Sequence, residues 1–87
     1  MHTDEYEISM SREIAFCRKR VRQLQDSLAR REKQWGMTTA AFLQALEEGR
    51  LSEPHPIQNW KQEYQDLRYW QKTLTEYEAA LESLKRL

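Results

Sequence analysis

A heptad repeat between residues 10 and 35, apolar at seven of its eight positions, constrains the fold of this chain more than any other feature. Successive members are alternately four and three residues apart, and only an α-helix brings such positions to one side. The members are Met10, Ile14, Cys17, Val21, Leu24, Leu28, Arg31 and Trp35. Because this stripe is as narrow as the seam of a coiled coil, the helix must pair with another helix.

A second heptad repeat of matching length follows in the C-terminal third of the chain. It consists of Trp60, Leu67, Leu74 and Leu81, with Trp70, Tyr77 and Leu84 at the companion position. The pattern predicts a second long helix over about residues 57–86.

The first long helix is expected over about residues 10–35. Ser9 or Ser11 could cap its start, so residues 1–9 are predicted to be a frayed lead-in. Gly36 fits the left-handed position that follows a helix C-terminus.

The segment between the two repeats predicts a short helix over about residues 39–48. Thr38 is a good N-cap residue, and Gly49 fits the position after the last turn. Phe42 and Leu46 lie one turn apart, so the short helix has an apolar side.

These patterns predict an all-α fold in which residues 1–87 form a single domain. Two long coiled-coil-like helices make an antiparallel hairpin, and the short helix in the connection covers one end of it. Pairing Trp35 with Trp60 also brings Leu28 opposite Leu67. The predicted core consists of Ile14, Val21, Leu24, Leu28, Trp35, Phe42, Leu46, Trp60, Leu67, Trp70, Leu74, Tyr77 and Leu81.

The same register predicts two ion pairs between the long helices. It places Arg31 near Glu63 and Tyr64, and it places Arg18 near Glu78 across the flank. Each such pair contributes about 0–1 kcal/mol, whereas each large buried side chain contributes about 1.5–3 kcal/mol. The apolar seam therefore dominates the stability.

The composition limits the classes of protein to which this chain can belong. The 87 residues carry 14 basic and 14 acidic side chains, which is typical of helices that are solvated outside one apolar stripe. A chain this short buries only about 60–65% of its unfolded surface, so association between chains is an open option. No segment is long and apolar enough to span a membrane, and the acidic, polar residues 1–7 are unlike a secretory leader. We therefore expect a cytoplasmic protein.

No pattern indicates an enzyme, a metal site or a cofactor. Cys17 lies inside the first seam, where core packing is the favoured interpretation, and His2 and His55 are far from it in sequence. One cysteine and two distant histidines do not have the spacing of metal ligands. We expect a protein without catalytic residues, metal ligands or cofactors.

A basic run makes nucleic acid a second class of partner. Residues 12–36 contain eight Lys or Arg and three acidic residues, which gives a local charge of +5. Clustered cations bind phosphates through counterion release. The candidate contacts are Arg18, Lys19, Arg20, Arg22, Arg30, Arg31 and Lys33. These positions are scattered around the helix, so nucleic-acid binding is the less favoured alternative.

Aromatic side chains outside the two repeats favour protein recognition. Phe16 lies off the first seam, and Tyr64 and Tyr69 lie off the second. Aromatic residues beyond those that a two-helix seam needs commonly mark an interface. Such an interface could receive a different protein, or a second copy of the chain in a four-helix arrangement. The competing interpretation is that these rings are singly exposed or are covered by the short helix.

Residues 31–43, together with Glu48-Gly49 and Trp60-Lys61, resemble segments of a family of small prokaryotic helical proteins. Members carry a Lys-Tyr-Gly-Met-Ser/Thr-x-x-x-Phe segment, a Gly-Glu-Leu-like turn and a Trp-Lys helix, and many are antitoxin-like partners of a neighbouring small toxin. The matching positions are Gly36, Met37, Thr38, Phe42, Gly49, Trp60 and Lys61. Trp35 replaces the usual Tyr, and Pro54-His55-Pro56 replaces a typically acidic loop. The resemblance implies an antitoxin-like regulator that binds a partner protein and occludes its working surface.

Overall fold

The chain folds into three helices, of which two are long. The computed structural model describes residues 2–51 and 55–86. In chain order the helices are α1 (His2–Trp35), α2 (Thr39–Glu47) and α3 (His55–Lys85). α1 and α3 lie side by side in a rod with extents of 57 × 20 × 18 Å. The predicted all-α hairpin with a short helix in its connection is confirmed.

Ion pairs across the hairpin show the register of α1 against α3. Arg18 Nη2 lies 2.7 Å from Glu78 Oε2, and Arg31 Nε donates a hydrogen bond to Glu63 Oε1. As the residue numbers rise along α1, those of the partners on α3 fall, which only an antiparallel pair allows. Both predicted ion pairs and the predicted register are therefore confirmed.

Local capping interactions place α2 directly after the turn that ends α1. Gly36 (φ 66°) and Gly49 (φ 73°) take the left-handed conformation that glycine adopts without strain. Thr38 Oγ1 accepts a hydrogen bond from the backbone N–H three residues later at 3.1 Å, which confirms the predicted N-cap. The backbone N–H of Thr39 donates to Glu32 Oε2 at 2.6 Å. A carboxylate of α1 thus lies at the positive end of α2.

Trp60 is the centre of the core at the end of the hairpin that α2 covers. Its side chain is fully buried and stacks on Phe42 of α2, with ring centroids 4.0 Å apart. Its indole N–H donates to the buried hydroxyl of Thr39 at 3.0 Å. The buried apolar side chains of the described residues are Ile14, Cys17, Val21, Leu24, Leu28, Phe42, Ala45, Ile57, Trp60 and Leu67. α2 is therefore attached to α3 by both an apolar and a polar contact.

The core is thinner than the heptad pattern predicts. The predicted core residues that are only partly buried are Leu46, Trp70, Leu74, Tyr77 and Leu81. Most of them lie on α3 towards the open end of the hairpin, where the N-terminal part of α1 meets the C-terminal part of α3. At this end the buried seam residues, Ile14 and Cys17, lie on α1, whereas the facing side chains of α3 keep one side in solvent, because two helices cover only one side of each other.

Trp35 is exposed, contrary to its predicted place in the core. Its ring centroid lies 6.3 Å from that of Trp60, which confirms the predicted pairing, but 46% of its surface is accessible. Phe42 stacks on Trp60 more closely, at 4.0 Å. α2 thus takes the enclosed position beside Trp60, and Trp35 lies at the edge of the core.

α1 begins at His2, well before its predicted start. Ser9 and Ser11 both lie inside the helix, so neither is its N-cap and the predicted frayed lead-in is wrong. The early part of α1 contains no Gly or Pro, and the acidic side chains of Glu5 and Glu7 suit the positive end of the helix dipole. An apolar heptad repeat marks only the part of a helix that packs against a neighbour. The first turns of α1 precede the repeat, so the repeat does not predict them.

α3 begins at His55, close to the predicted start at residue 57, and ends at Lys85. The sequence predicts a loop over residues 50–56, but α3 already includes the last two of them. Pro54 and the side chains of His55 and Pro56 lie outside the described residues. None of the described helical segments combines the length and the apolar character that crossing a membrane requires.

Replacing Thr39 with Val should leave the buried N–H of Trp60 without its acceptor. Because an unsatisfied buried donor costs about 1–3 kcal/mol, T39V should lower the free energy of unfolding in urea by that amount. W60F removes the donor, so T39V should cost less than about 0.5 kcal/mol in a W60F background. An equal cost in both backgrounds would show that this hydrogen bond does not stabilise the docking of α2.

Candidate protein-interaction surface

Three aromatic side chains, Phe16, Tyr69 and Trp70, form a contiguous patch near the middle of the hairpin, which we call the aromatic face. Trp70 lies between the other two rings. It makes edge-to-face contacts with Phe16 at 5.6 Å and with Tyr69 at 5.3 Å between centroids. Phe16 is 56% exposed and Tyr69 is 62% exposed. The structure thus brings together two of the three side chains that the sequence suggested for partner binding.

Trp70 joins the aromatic face although its heptad position predicted a core residue. It is half-buried, because it packs against the core cluster and also contacts Phe16. The signal in the sequence is the dipeptide Tyr69-Trp70. Consecutive side chains of a helix point about 100° apart, so two adjacent aromatic residues cannot both face one seam.

Tyr64, the third residue suggested for partner binding, packs against the core cluster and is partly buried. Its hydroxyl accepts a hydrogen bond from Arg68 Nη1 at 3.3 Å. Tyr64 therefore belongs to the core, and only its hydroxyl forms a contact at the surface.

An open groove of about 180 Å³ extends towards the open end of the hairpin. It is lined by Tyr6, Ser9, Met10, Glu13 and Tyr77. Tyr77 follows Trp70 by seven residues, which is two turns further along the same side of α3. Tyr6 is 61% exposed. The groove therefore lies on the same side of the hairpin as the aromatic face.

A polar network of Ser27, Arg31 and Glu63 lies on the same side of the hairpin as the aromatic face, but nearer to α2. Ser27 lies three turns after Phe16 along the same side of α1, and its Oγ donates to Glu63 at 2.7 Å. Arg31 Nε donates to the other carboxylate oxygen of Glu63. Burial by itself raises the pKa of Glu63, but the hydrogen bonds from Ser27 and Arg31 and the charges of Arg31 and Arg30 outweigh it, so the pKa is lowered. Glu63 is therefore an ionised, hydrogen-bonded carboxylate at neutral pH.

The basic residues of α1 are spread around the helix. Arg18 pairs with Glu78 and Arg31 pairs with Glu63, so carboxylates of α3 already neutralise two of the suggested nucleic-acid contacts. Lys19, Arg22, Arg30 and Lys33 are exposed, and Arg20 is half-buried.

Cys17 is a buried thiol in the seam. Burial, followed by the negative charge of Glu13, raises the pKa of Cys17, so the nucleophilic thiolate is disfavoured. Among the residues that the structure describes, no three His, Cys, Asp or Glu side chains are grouped to hold a metal ion.

Comparison with known proteins assigns no family to this arrangement. No family model matches the chain, and no curated protein or solved structure matches it. The aromatic face, the groove and the exposed basic residues are therefore the features from which a function can be inferred.

Glu63 should stabilise the hairpin at neutral pH and lose this contribution in acid. Its pKa is lower in the folded than in the unfolded chain, so the contribution is fully present above the unfolded value of about 4.3 and is lost as the pH falls through the folded value. E63Q should therefore unfold at a lower temperature than the parent near pH 7, and this difference should shrink below about pH 4. Thermal unfolding followed by circular dichroism between these pH values measures it.

E78Q is the matched control for E63Q, because Glu78 belongs to the exposed ion pair with Arg18. Loss of an exposed pair should cost only about 0–1 kcal/mol near neutral pH, and the contribution of Glu63 should persist in this variant. A pH dependence of E63Q identical to that of the parent would contradict a stabilising role for the network.

Proposed function

We propose that this chain is a non-catalytic protein–protein interaction module whose contact surface is the aromatic face. The observation that carries the proposal is the exposure of Phe16 and Tyr69 on either side of Trp70. Clustered aromatic rings contribute a large share of the binding free energy in protein interfaces. A partner that covers these rings removes apolar area from water and immobilises side chains with only two rotatable bonds each.

The mechanism that we propose is occlusion of the partner. The aromatic rings lie on two long packed helices, so their positions are set before binding and little conformational entropy is lost. A rod 57 Å long can then cover an extended strip of the partner's surface. The resemblance of residues 31–70 to antitoxin-like proteins favours the same mechanism, with a small toxin as the partner and the cytoplasm as the setting.

Nucleic-acid binding through α1 is the alternative function. Its support is the set of exposed cations Lys19, Arg22, Arg30 and Lys33. Two further cations are paired with carboxylates of α3, and the formal net charge of the chain is zero. Both facts reduce the attraction for phosphates, so we favour protein recognition.

The double variant F16S/Y69S should lose protein binding and keep its helical fold, because both side chains are more than half exposed. Tagged parent and variant chains are used to retain partners from native lysate at low and moderate salt, with nuclease treatment. The parent should retain a stoichiometric protein, and the variant should bind that protein at least about 30-fold more weakly, as expected for the loss of interface hot spots. Circular dichroism checks that the helix content is unchanged.

The variant K19Q/R22Q is the matched control, since it removes two exposed cations and no aromatic ring. A protein partner should still bind to it. If nucleic acid is the ligand, K19Q/R22Q should instead reduce the slope of log affinity against log salt by about 1.8. Loss of binding in K19Q/R22Q together with retention in F16S/Y69S would contradict the protein-interaction proposal.

A further inference from the structure

The hairpin exposes more surface than a compact chain of its size. The accessible surface is 6688 Å², whereas a compact protein of 10.6 kDa exposes about 5,500 Å². The radius of gyration is 17.4 Å, against roughly 12 Å for a compact chain of 87 residues. The excess of about 1,200 Å² is larger than the roughly 800 Å² that each partner buries in a stable interface of standard size. The hairpin therefore exposes enough extra surface for a stable interface with one further chain.

We propose that a second copy of this chain occupies the aromatic face, with α1 of each copy packed antiparallel against α1 of the other. The inference rests on the proposed function, because it uses the same surface, and it names a second copy, in place of a toxin, as the chain that covers the aromatic face. A two-fold axis near Phe16 brings the two aromatic faces into one contact. The half-buried side chains of Trp70 and Tyr77 then become core residues of a four-helix arrangement.

The charges that flank Phe16 are complementary under this symmetry. Glu13 precedes Phe16 by three residues and Arg20 follows it by four, so all three lie on one side of α1. In an antiparallel pair centred near Phe16, Glu13 of each copy faces Arg20 of the other, and the contact occurs twice. A parallel pair would bring like charges together instead. Within the described part of a single chain, neither Glu13 nor Arg20 forms a salt bridge.

The position of Arg20 agrees with a role at this contact. It is half-buried, whereas its neighbours Lys19 and Arg22 are exposed. The aliphatic part of an arginine side chain commonly lies along apolar surface while the guanidinium reaches a charge at its edge. The 14 basic and 14 acidic residues also cancel, so two copies approach each other without net repulsion.

Sedimentation equilibrium of the full chain at tens of micromolar tests the proposal. The expected mass is twice the 10.6 kDa of one chain, and F16S/Y69S should return the mass to that of a single chain. A single-chain mass for the parent throughout this range would overturn the proposal. A dimer that F16S/Y69S leaves intact would overturn it as well, because the contact would then lie elsewhere.

A charge-swap series tests the antiparallel arrangement through side chains that are not buried in the core. E13R and R20E should each weaken the dimer about tenfold, because each puts like charges together at two symmetry-related contacts. The double variant E13R/R20E restores opposite charges and should return to within about threefold of the parent. K19E changes the charge by the same amount as R20E at an adjacent exposed position, and it should leave the affinity unchanged. Equal weakening by K19E and R20E, or no recovery in the double variant, would overturn the arrangement.

The failure of this inference is distinguishable from the failure of the proposed function. A monomeric parent that retains a different protein, and loses it in F16S/Y69S, would overturn the second copy as occupant and keep the aromatic face as an interaction surface. A monomeric parent that retains no protein would overturn both.

Discussion

The contacts of Trp60 decide which end of the hairpin α2 covers. Two packed helices bury one stripe on each other and leave their flanks in water, so a small seam residue such as Cys17 is buried between them, whereas a side chain as large as Trp60 is enclosed with the help of a third element. The stacking of Trp60 on Phe42 and its hydrogen bond to Thr39 attach that third element, α2, at one end only. The two largest fully buried side chains, Trp60 and Phe42, lie where α2 packs, while seam residues of α3 near the open end, such as Leu81, stay partly exposed.

Features of the fold that depend on local rules could be predicted from the sequence. Gly36 and Gly49 mark helix ends because a left-handed residue is needed there, and Thr38 marks a start because its hydroxyl satisfies a backbone N–H. The register could also be predicted, because two heptad stripes of similar length joined by a compact connection have few ways to align. The ion pair of Arg31 with Glu63 is a consequence of that alignment.

Features that depend on competition between elements could not be predicted. A heptad position gives the direction of a side chain, but it does not say what lies opposite. Trp35 and Phe42 both have the size to cover Trp60, and the tighter stacking of Phe42 leaves Trp35 exposed. For the candidate site, Phe16 and Tyr69 could be identified as apolar residues outside the seams. The heptad position of Trp70 predicts a core residue, and only its neighbour Tyr69 signals that two rings meet at the edge of the seam; Trp70 is half-exposed because α2, the third described helix, packs at the other end of the hairpin.

The polar network around Glu63 limits where a partner can pack. An ionised carboxylate that accepts hydrogen bonds from Ser27 and Arg31 loses solvation when an apolar surface covers it, and that loss is costly for a charged group. An apolar partner is therefore favoured on α1 between the groove at Tyr6 and the network at Ser27, a distance of about 32 Å at 1.5 Å per residue. This stretch lies away from the core that α2 encloses. Recognition and folding can thus depend on different aromatic residues, because a change at Phe16 alters the exposed surface while a change at Trp60 detaches α2.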